Sequence, residues 1–217
     1  MLAPQTDEAY RRLRRLILSL ELRPGEALVE RKLEERLQVS RTPIRAAMQR
    51  LAREGLIHRT GRVYSVAPVN LTELEEAFAF RRMLETQAVQ MAAARRPDTR
   101  ELNEILSALE RRLEPELELE KATDFHLALA RLSGNRFLVA ALADVLGRIY
   151  RARFLEITRE HGVQQAQSDH ARLVELVQQG RGDEAARLIE EHLGRSRERL
   201  LQGLEGSSLG RVLLAKP

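Results

Sequence analysis

Two sets of residues in this chain have the types and spacing to do chemistry. The first is Arg31, Ser40, Arg41, Thr42 and Arg45, with Gly61 further along. Arg41 and Arg45 lie four positions apart, so on a helix they share a face. A guanidinium can make two parallel hydrogen bonds to guanine, and it grips a phosphate equally well. Ser40 and Thr42 can donate to phosphate oxygens at a helix N-terminus, where the backbone amides also favour an anion. The second set is His126, His170 and His192. Each shares an apolar helix face, His126 with Leu129 and Ala130, His170 with Leu173 and Val174, and His192 with Leu188 and Ile189. A single inward histidine is ordinarily a hydrogen-bonded core residue. Three, arriving from three helices, form a donor set for zinc, nickel or another divalent ion.

The elements that must position these residues follow from periodicity and turn chemistry. Tyr10, Leu13, Leu16, Ile17 and Leu20 predict a helix over 7–20, ended by the turn Arg23-Pro24-Gly25. Val29, Leu33 and Leu37 predict an apolar stripe on a second helix that Arg31 begins. Val39-Ser40 makes the next turn. Ser40 is a good N-cap, and Pro43 is tolerated in the first turn of the helix that follows. Ile44, Ala47, Met48 and Leu51 are its inner face, and Gly55 stops it. Residues 56–59 and 62–66 read as strands with Thr60-Gly61 as the tight turn between them. Helix, helix, turn, helix and hairpin in that order is a winged helix-turn-helix, whose third helix is the expected reader of a DNA major groove. The glycine at the wing tip lets the backbone approach a groove or a phosphate closely, and His58 falls beside the wing.

From Leu71 onward the pattern is helical almost throughout. Thr72 and Glu75 suit a capping box for a helix to about Arg95, broken near Pro97. Further helices are predicted from Asp98 or Thr99 to near Pro115, over 117–132, from Arg136 to Arg159, from Val163 to Gln179, and from an Asp183 cap to near Gly206. His161 falls in the loop after the helix that ends at Arg159. The predicted fold class is mainly α, an N-terminal winged helix-turn-helix with a small β-hairpin plus a C-terminal all-helical bundle. The predicted division is a DNA-binding domain over 1–68, a linker over 69–71, an effector-binding and dimerisation domain over 72–206, and a tail over 207–217.

Composition narrows the partners. The chain has 217 residues, enough for two domains, with 43% hydrophobic and 4% aromatic residues and a net charge of +4. Residues 1–70 hold 14 Lys+Arg against 8 Asp+Glu, and the remainder 22 against 24. A basic first part joined to a near-neutral second part fits an anionic polymer at one end. A solvated, arginine-rich surface would show the same imbalance. There is no cysteine, which excludes disulfides and thiolate metal sites. No apolar run reaches membrane-spanning length and no signal segment is visible, so a cytoplasmic protein is expected.

Residues 10–66 resemble the GntR-type winged-helix domain of bacterial transcription regulators. The resemblance is carried by Tyr10, Pro24-Gly25, Glu30, Leu33, the run Val39-Ser40-Arg41-Thr42-Pro43-Ile44-Arg45, then Ala47, Leu51, Gly55-Leu56-Ile57, Gly61 and Val66. It implies that Arg31, Ser40, Arg41, Thr42, Arg45 and Gly61 contact an operator. One departure is Ala46, where an acidic residue usually follows the second arginine. The rest of the chain resembles, more loosely, the FadR-type helical effector domain, through Arg81-Arg82-Met83-Leu84-Glu85, Phe125-His126, Ser133-Gly134-Asn135 and the two later histidines. That resemblance implies that Arg81 reaches a small organic acid effector, although register alone does not say whether Arg81 or Arg82 points inward. It also implies a metal on His126, His170 and His192. The metal-binding subgroup adds an Asp four residues before the first histidine, and Ala122 stands there. Asp124, two residues before His126, points elsewhere on a regular helix. Three histidines with water or effector, a distorted helix, or no metal all remain open.

The expected function is a ligand-responsive transcription regulator, a homodimer on a two-fold DNA operator and a repressor released by a small carboxylate. The alternative is a metal-dependent hydrolase fused to a nucleic-acid-binding module. That reading lacks a general base at motif spacing, an HExxH, a nucleophile elbow and a phosphate loop. The chain is therefore expected not to be an enzyme. An architectural DNA binder would leave the long helical part without a purpose.

Overall fold

The computed structural model describes residues 4–110, 113–157 and 163–206. His161, the end of the predicted helix at Arg159 and the tail over 207–217 lie outside them. The chain divides into two compact units, one running through Leu71 and the other from Thr72 to Glu205.

The first unit contains α1 (Pro4–Leu18), β1 (Ala27–Leu28), α2 (Glu30–Leu37), α3 (Arg41–Arg53), β2 (Ile57–Thr60) and β3 (Val63–Val66). This is the winged helix-turn-helix expected from the sequence. Leu13, Ile17, Leu33, Leu37, Ile44, Met48 and Leu51 bury the inner faces of the three helices, and Leu56, Ile57 and Val66 bring the hairpin onto the same core. Val29 does not join the stripe predicted for it. It is the N-cap residue of α2 and 46% exposed, since the helix begins one residue later.

Polar contacts lock α1 onto α3. The Tyr10 hydroxyl donates to the Glu54 carboxylate at 2.9 Å, and the Arg50 guanidinium lies 3.6 Å from the centre of the Tyr10 ring. Partial burial, with help from the Glu54 charge and bond, pushes the Tyr10 hydroxyl up to about 12. The α2–α3 turn is tight because Gln38 adopts a left-handed conformation, φ 53° and ψ 41°, and its amide donates to Glu34 O at 2.9 Å.

The sheet has one strand more than the sequence suggested. β1 pairs with β3, which also pairs with β2, all antiparallel, in the order β1-β3-β2. Two residues are too few to show alternation, so β1 left no periodic signal. The hairpin turn is also displaced by one residue. Thr60 pairs with Val63, so the loop residues are Gly61 and Arg62 rather than Thr60 and Gly61. Gly61 has φ +61°, the sign that this loop position demands of a two-residue hairpin.

The second unit is a bundle of α4 (Leu71–Arg95), α5 (Arg100–Leu109), α6 (Pro115–Arg131), α7 (Arg136–Ile157), α8 (Val163–Gln178) and α9 (Gly182–Gly206). Its core runs from Val89, Ala92 and Ala93 on α4 through Leu102, Phe125 and Leu129 to Leu173, Val177, Ile189 and Leu193. Two predicted caps are corrected. α4 begins at Leu71, so Thr72 lies inside the first turn, and Glu75 accepts two hydrogen bonds from Arg197 of α9, each 2.5 Å. α9 begins at Gly182, which puts Asp183 in its first turn, where an acidic residue suits the helix dipole. The 117–132 helix starts at Pro115, a residue suited to the first turn. No described helix is long and apolar enough to cross a membrane.

Candidate DNA interface and buried histidine centre

α3 presents the arginines. Arg41 is its first residue and Arg45 lies one turn on, with side chains 60% and 62% exposed. Arg31 is in the first turn of α2, 81% exposed and 3.4 Å from Glu35. Ser40 is the N-cap residue with extended backbone, φ −68° and ψ 167°, but its side chain makes no capping bond. Its hydroxyl, like that of Thr42, is exposed. Sequence reasoning named these cations but missed what holds them. Arg41 Nε donates to Glu34 Oε2 at 2.8 Å and Arg45 Nε to Glu30 Oε1 at 2.7 Å. The bond from Arg45 holds the Glu30 carboxyl below its usual range. At the wing, Arg59 donates to Gly61 O at 2.9 Å. A Cβ on Gly61 would meet nothing within 4 Å, so the constraint there is backbone sign and the tip is open. His58 faces Ser65 across the hairpin at 3.0 Å.

In the second unit, α6, α8 and α9 bring His126, His170 and His192 together. Their ring centroids are 5.3, 5.5 and 4.7 Å apart and each residue is at most 4% exposed. One nitrogen from each lies within 4.8 Å of the others. Two of the rings are held by carboxylates. His126 Nδ1 is 2.6 Å from Glu85 Oε2, and His192 Nδ1 is 3.1 Å from Asp169 Oδ2. Burial would raise Glu85, but the Arg81 charge and the hydrogen bonds from Arg81 and His126 hold it well below the carboxylate range. Burial likewise opposes ionisation of Asp169, yet bonds from His192, Arg195 and Gln165 keep it at about 2. Both carboxylates are therefore acceptors, and both histidines donate from Nδ1. Burial also lowers His126 to about 4, so the ring is neutral with its lone pair on Nε2. His170 differs. Its ring stacks on Phe125 with centroids 4.1 Å apart, and neither nitrogen has a hydrogen-bond partner. Burial drives it well below its ordinary value, so it too is neutral.

Two orphaned nitrogens on a buried ring are costly, and a cation at the lone pair of one, shared with the other two rings, would satisfy that nitrogen. Carboxylate-oriented imidazoles are the usual support of a metal-bound histidine. Three nitrogens around zinc at about 2.1 Å stand about 3.4 Å apart, so coordination would draw the rings inward. Ala122 supplies no ligand atom, and Asp124 pairs with Lys121 at 3.4 Å with its side chain 43% exposed.

Arg81 resolves the register question. It is 1% exposed, whereas Arg82 is exposed. Arg81 Nε donates to Glu85 Oε1 at 2.9 Å, and Nη1 has no hydrogen-bond partner. Glu85 thus joins Arg81 to His126. The i,i+4 pair on a buried helix face was the available signal for it. Asp169 was harder to see, because it binds the ring of His192 and not that of its neighbour His170. Arg153 is a further buried cation, 5% exposed, donating to Thr123 Oγ1 at 3.0 Å.

A winged helix with arginines on its third helix, joined to a helical unit with a buried polar centre, defines a class of DNA-binding regulator. Comparison with known proteins gives the family. Residues 5–64 match the bacterial regulatory proteins of the gntR family, and residues 76–195 match the FCD domain. The chain is 29% identical over 217 residues to an HTH-type transcriptional regulator of Bacillus subtilis, covering 93% of each chain. A second HTH-type regulator, from Streptomyces ambofaciens, is 30% identical over 178 residues, or 80% of this chain and 75% of its own. Among solved structures, a GntR regulator from Rhodococcus shares the fold with a TM-score of 0.70 at 22% identity, over 92% of this chain and 98% of that one. The chain belongs to the GntR family of bacterial regulatory proteins, in the branch that carries an FCD domain. It is a ligand-responsive, DNA-binding transcriptional regulator, and nothing in these comparisons supports the hydrolase alternative.

Proposed function

We propose that this regulator reads a two-fold operator as a homodimer and senses a small organic acid through a divalent metal. Arg31, Ser40, Arg41, Thr42 and Arg45 contact DNA from α2 and α3, with Gly61 on the wing. His126, His170 and His192 hold zinc or nickel, with water or effector completing the coordination in place of the carboxylate that Ala122 lacks. A metal held there would supply a Lewis-acid contact for the effector carboxylate, and Arg81, whose Nη1 has no hydrogen-bond partner, would bind the same anion. Such a ligand acts by favouring one placement of the two reading helices over another, and here it releases a repressor. Exposed Phe80, Met83 and Phe137, at 42%, 69% and 73%, give α4 and α7 apolar surface suited to a second copy. The protein works in the cytoplasm on chromosomal DNA.

The observation that carries the metal reading is His170, buried, neutral and unpartnered at both nitrogens between two carboxylate-oriented histidines. Metal analysis of protein purified without an affinity tag tests it. One zinc or nickel per chain, lost in His170→Ala, is expected. Protein that carries none and takes up none on titration would leave the histidines as a structural core cluster. Sedimentation velocity tests the dimer, and a monomer at micromolar concentration would remove the two-fold operator from the account.

A further inference from the structure

Glu30 and Glu34 lie one turn apart on α2, and Arg41 and Arg45 one turn apart on α3. They pair crosswise, Arg41 with Glu34 and Arg45 with Glu30. The glutamates are inboard, with side chains 28% and 30% exposed, while the arginine side chains are 60% and 62% exposed. Both arginines donate through Nε, and neither makes a hydrogen bond through Nη1 or Nη2 among the described residues. A guanidinium has two donor edges. Occupying Nε restrains the plane of the group and leaves the Nη1/Nη2 edge free, and that edge can reach guanine O6 and N7 together. Arg31 is placed differently. Its partner Glu35 lies on its own helix, and both side chains are largely exposed, 81% and 68%.

We propose that Glu30 and Glu34 determine the specificity of the reading helix: they hold Arg41 and Arg45 end-on for base edges and subtract from their attraction to phosphate. The inference rests on α3 being the DNA-contacting helix. An unpaired arginine on a long stem can turn to any phosphate, and phosphate contacts carry no sequence information. A carboxylate beside it restricts that motion. It also lowers the positive charge that displaces counterions from any duplex, so binding to unrelated DNA weakens. Exposed ion pairs of this kind add little to folding, so their main effect falls on binding.

The test compares wild type, Glu34→Gln and Glu30→Gln on two duplexes of equal length. One is enriched from a random-sequence pool by the wild-type protein, and the other is a scramble of it. Each glutamine variant is expected to bind the scramble more tightly and with a steeper salt dependence. The ratio of the two affinities is expected to fall about fivefold. In an Arg41→Ala background, Glu34→Gln is expected to leave the ratio unchanged, because its positioning partner is gone. A ratio equal to wild type in both variants overturns the proposal, as does a fall that persists without Arg41. If the wild-type protein enriches no sequence, the reading of α3 falls together with the proposal. If it does enrich one, that reading stands whatever the glutamates do.

Discussion

Arg31, Arg41 and Arg45 in the first unit have side chains at least 60% exposed, and each donates to a carboxylate. Arg81, Glu85, His126 and His170 in the second unit are at most 3% exposed, and two of them keep nitrogens that bond to nothing. The same side-chain chemistry carries different energies in the two settings. At the surface, water and salt screen a charge, so an arginine can exchange a glutamate for a phosphate at small cost. In the interior an unmatched charge or ring nitrogen is expensive, so only an occupant with matching chemistry is accepted at small cost. On the proposed reading, a reading surface benefits from cheap exchange, and a sensing centre from a high penalty for the wrong occupant.

The sharpest way to break this contrast is Glu85→Ala in metal-free protein. It leaves Arg81 buried without its carboxylate and His126 without its acceptor, and it should destabilise the fold by about 3–5 kcal/mol in urea unfolding. A loss no greater than that of a surface substitution would mean the centre is wetter than its burial implies. Arg41→Ala should show the opposite profile. Affinity for a selected operator duplex should drop about tenfold or more, with the melting temperature essentially unchanged. A variant that unfolds would make Arg41 a structural residue.

A smaller effect of reversed sign tests His170. His170→Leu removes two unsatisfied nitrogens and should stabilise metal-free protein by about 1–2 kcal/mol while abolishing metal uptake. Destabilisation would show that the ring has partners it does not display here. The smallest effect belongs to Tyr10→Phe, which should cost about 1 kcal/mol below pH 10. Tyr10 ionises near 10 when unfolded and about 12 when folded. Between those values the folded state holds the proton more tightly. The stability contributed by Tyr10 is thus complete below pH 10 and is lost as pH rises towards 12. The variant should lack this alkaline decline in a pH series of unfolding curves.

The contrast also explains what was legible in the sequence. The winged helix could be read because its signals are local: the Ser40 to Arg45 run, the apolar spacing of α3 and the glycine of the hairpin. β1 escaped because its ladder depends on β3, almost forty residues away. The histidines were visible as inward residues on three helices. Their partners were not, because the Glu85–His126 contact spans 41 residues and the Asp169–His192 contact 23. Spacing along one helix says which face a residue takes. It does not say which residue of another helix comes to meet it, and that was also why Glu30 and Glu34 were not paired with Arg45 and Arg41.

The double hydrogen bond between Glu75 and Arg197 joins the first helix of the bundle to the last, 122 residues apart. Made on a ribosome, such a protein acquires its parts in sequence. The winged helix has every strand and helix once Val66 has emerged, whereas His192 and Arg197 follow roughly 130 residues later, on the order of ten seconds at ordinary translation speed. For that interval the nascent chain carries a complete DNA-reading head and an unfinished bundle.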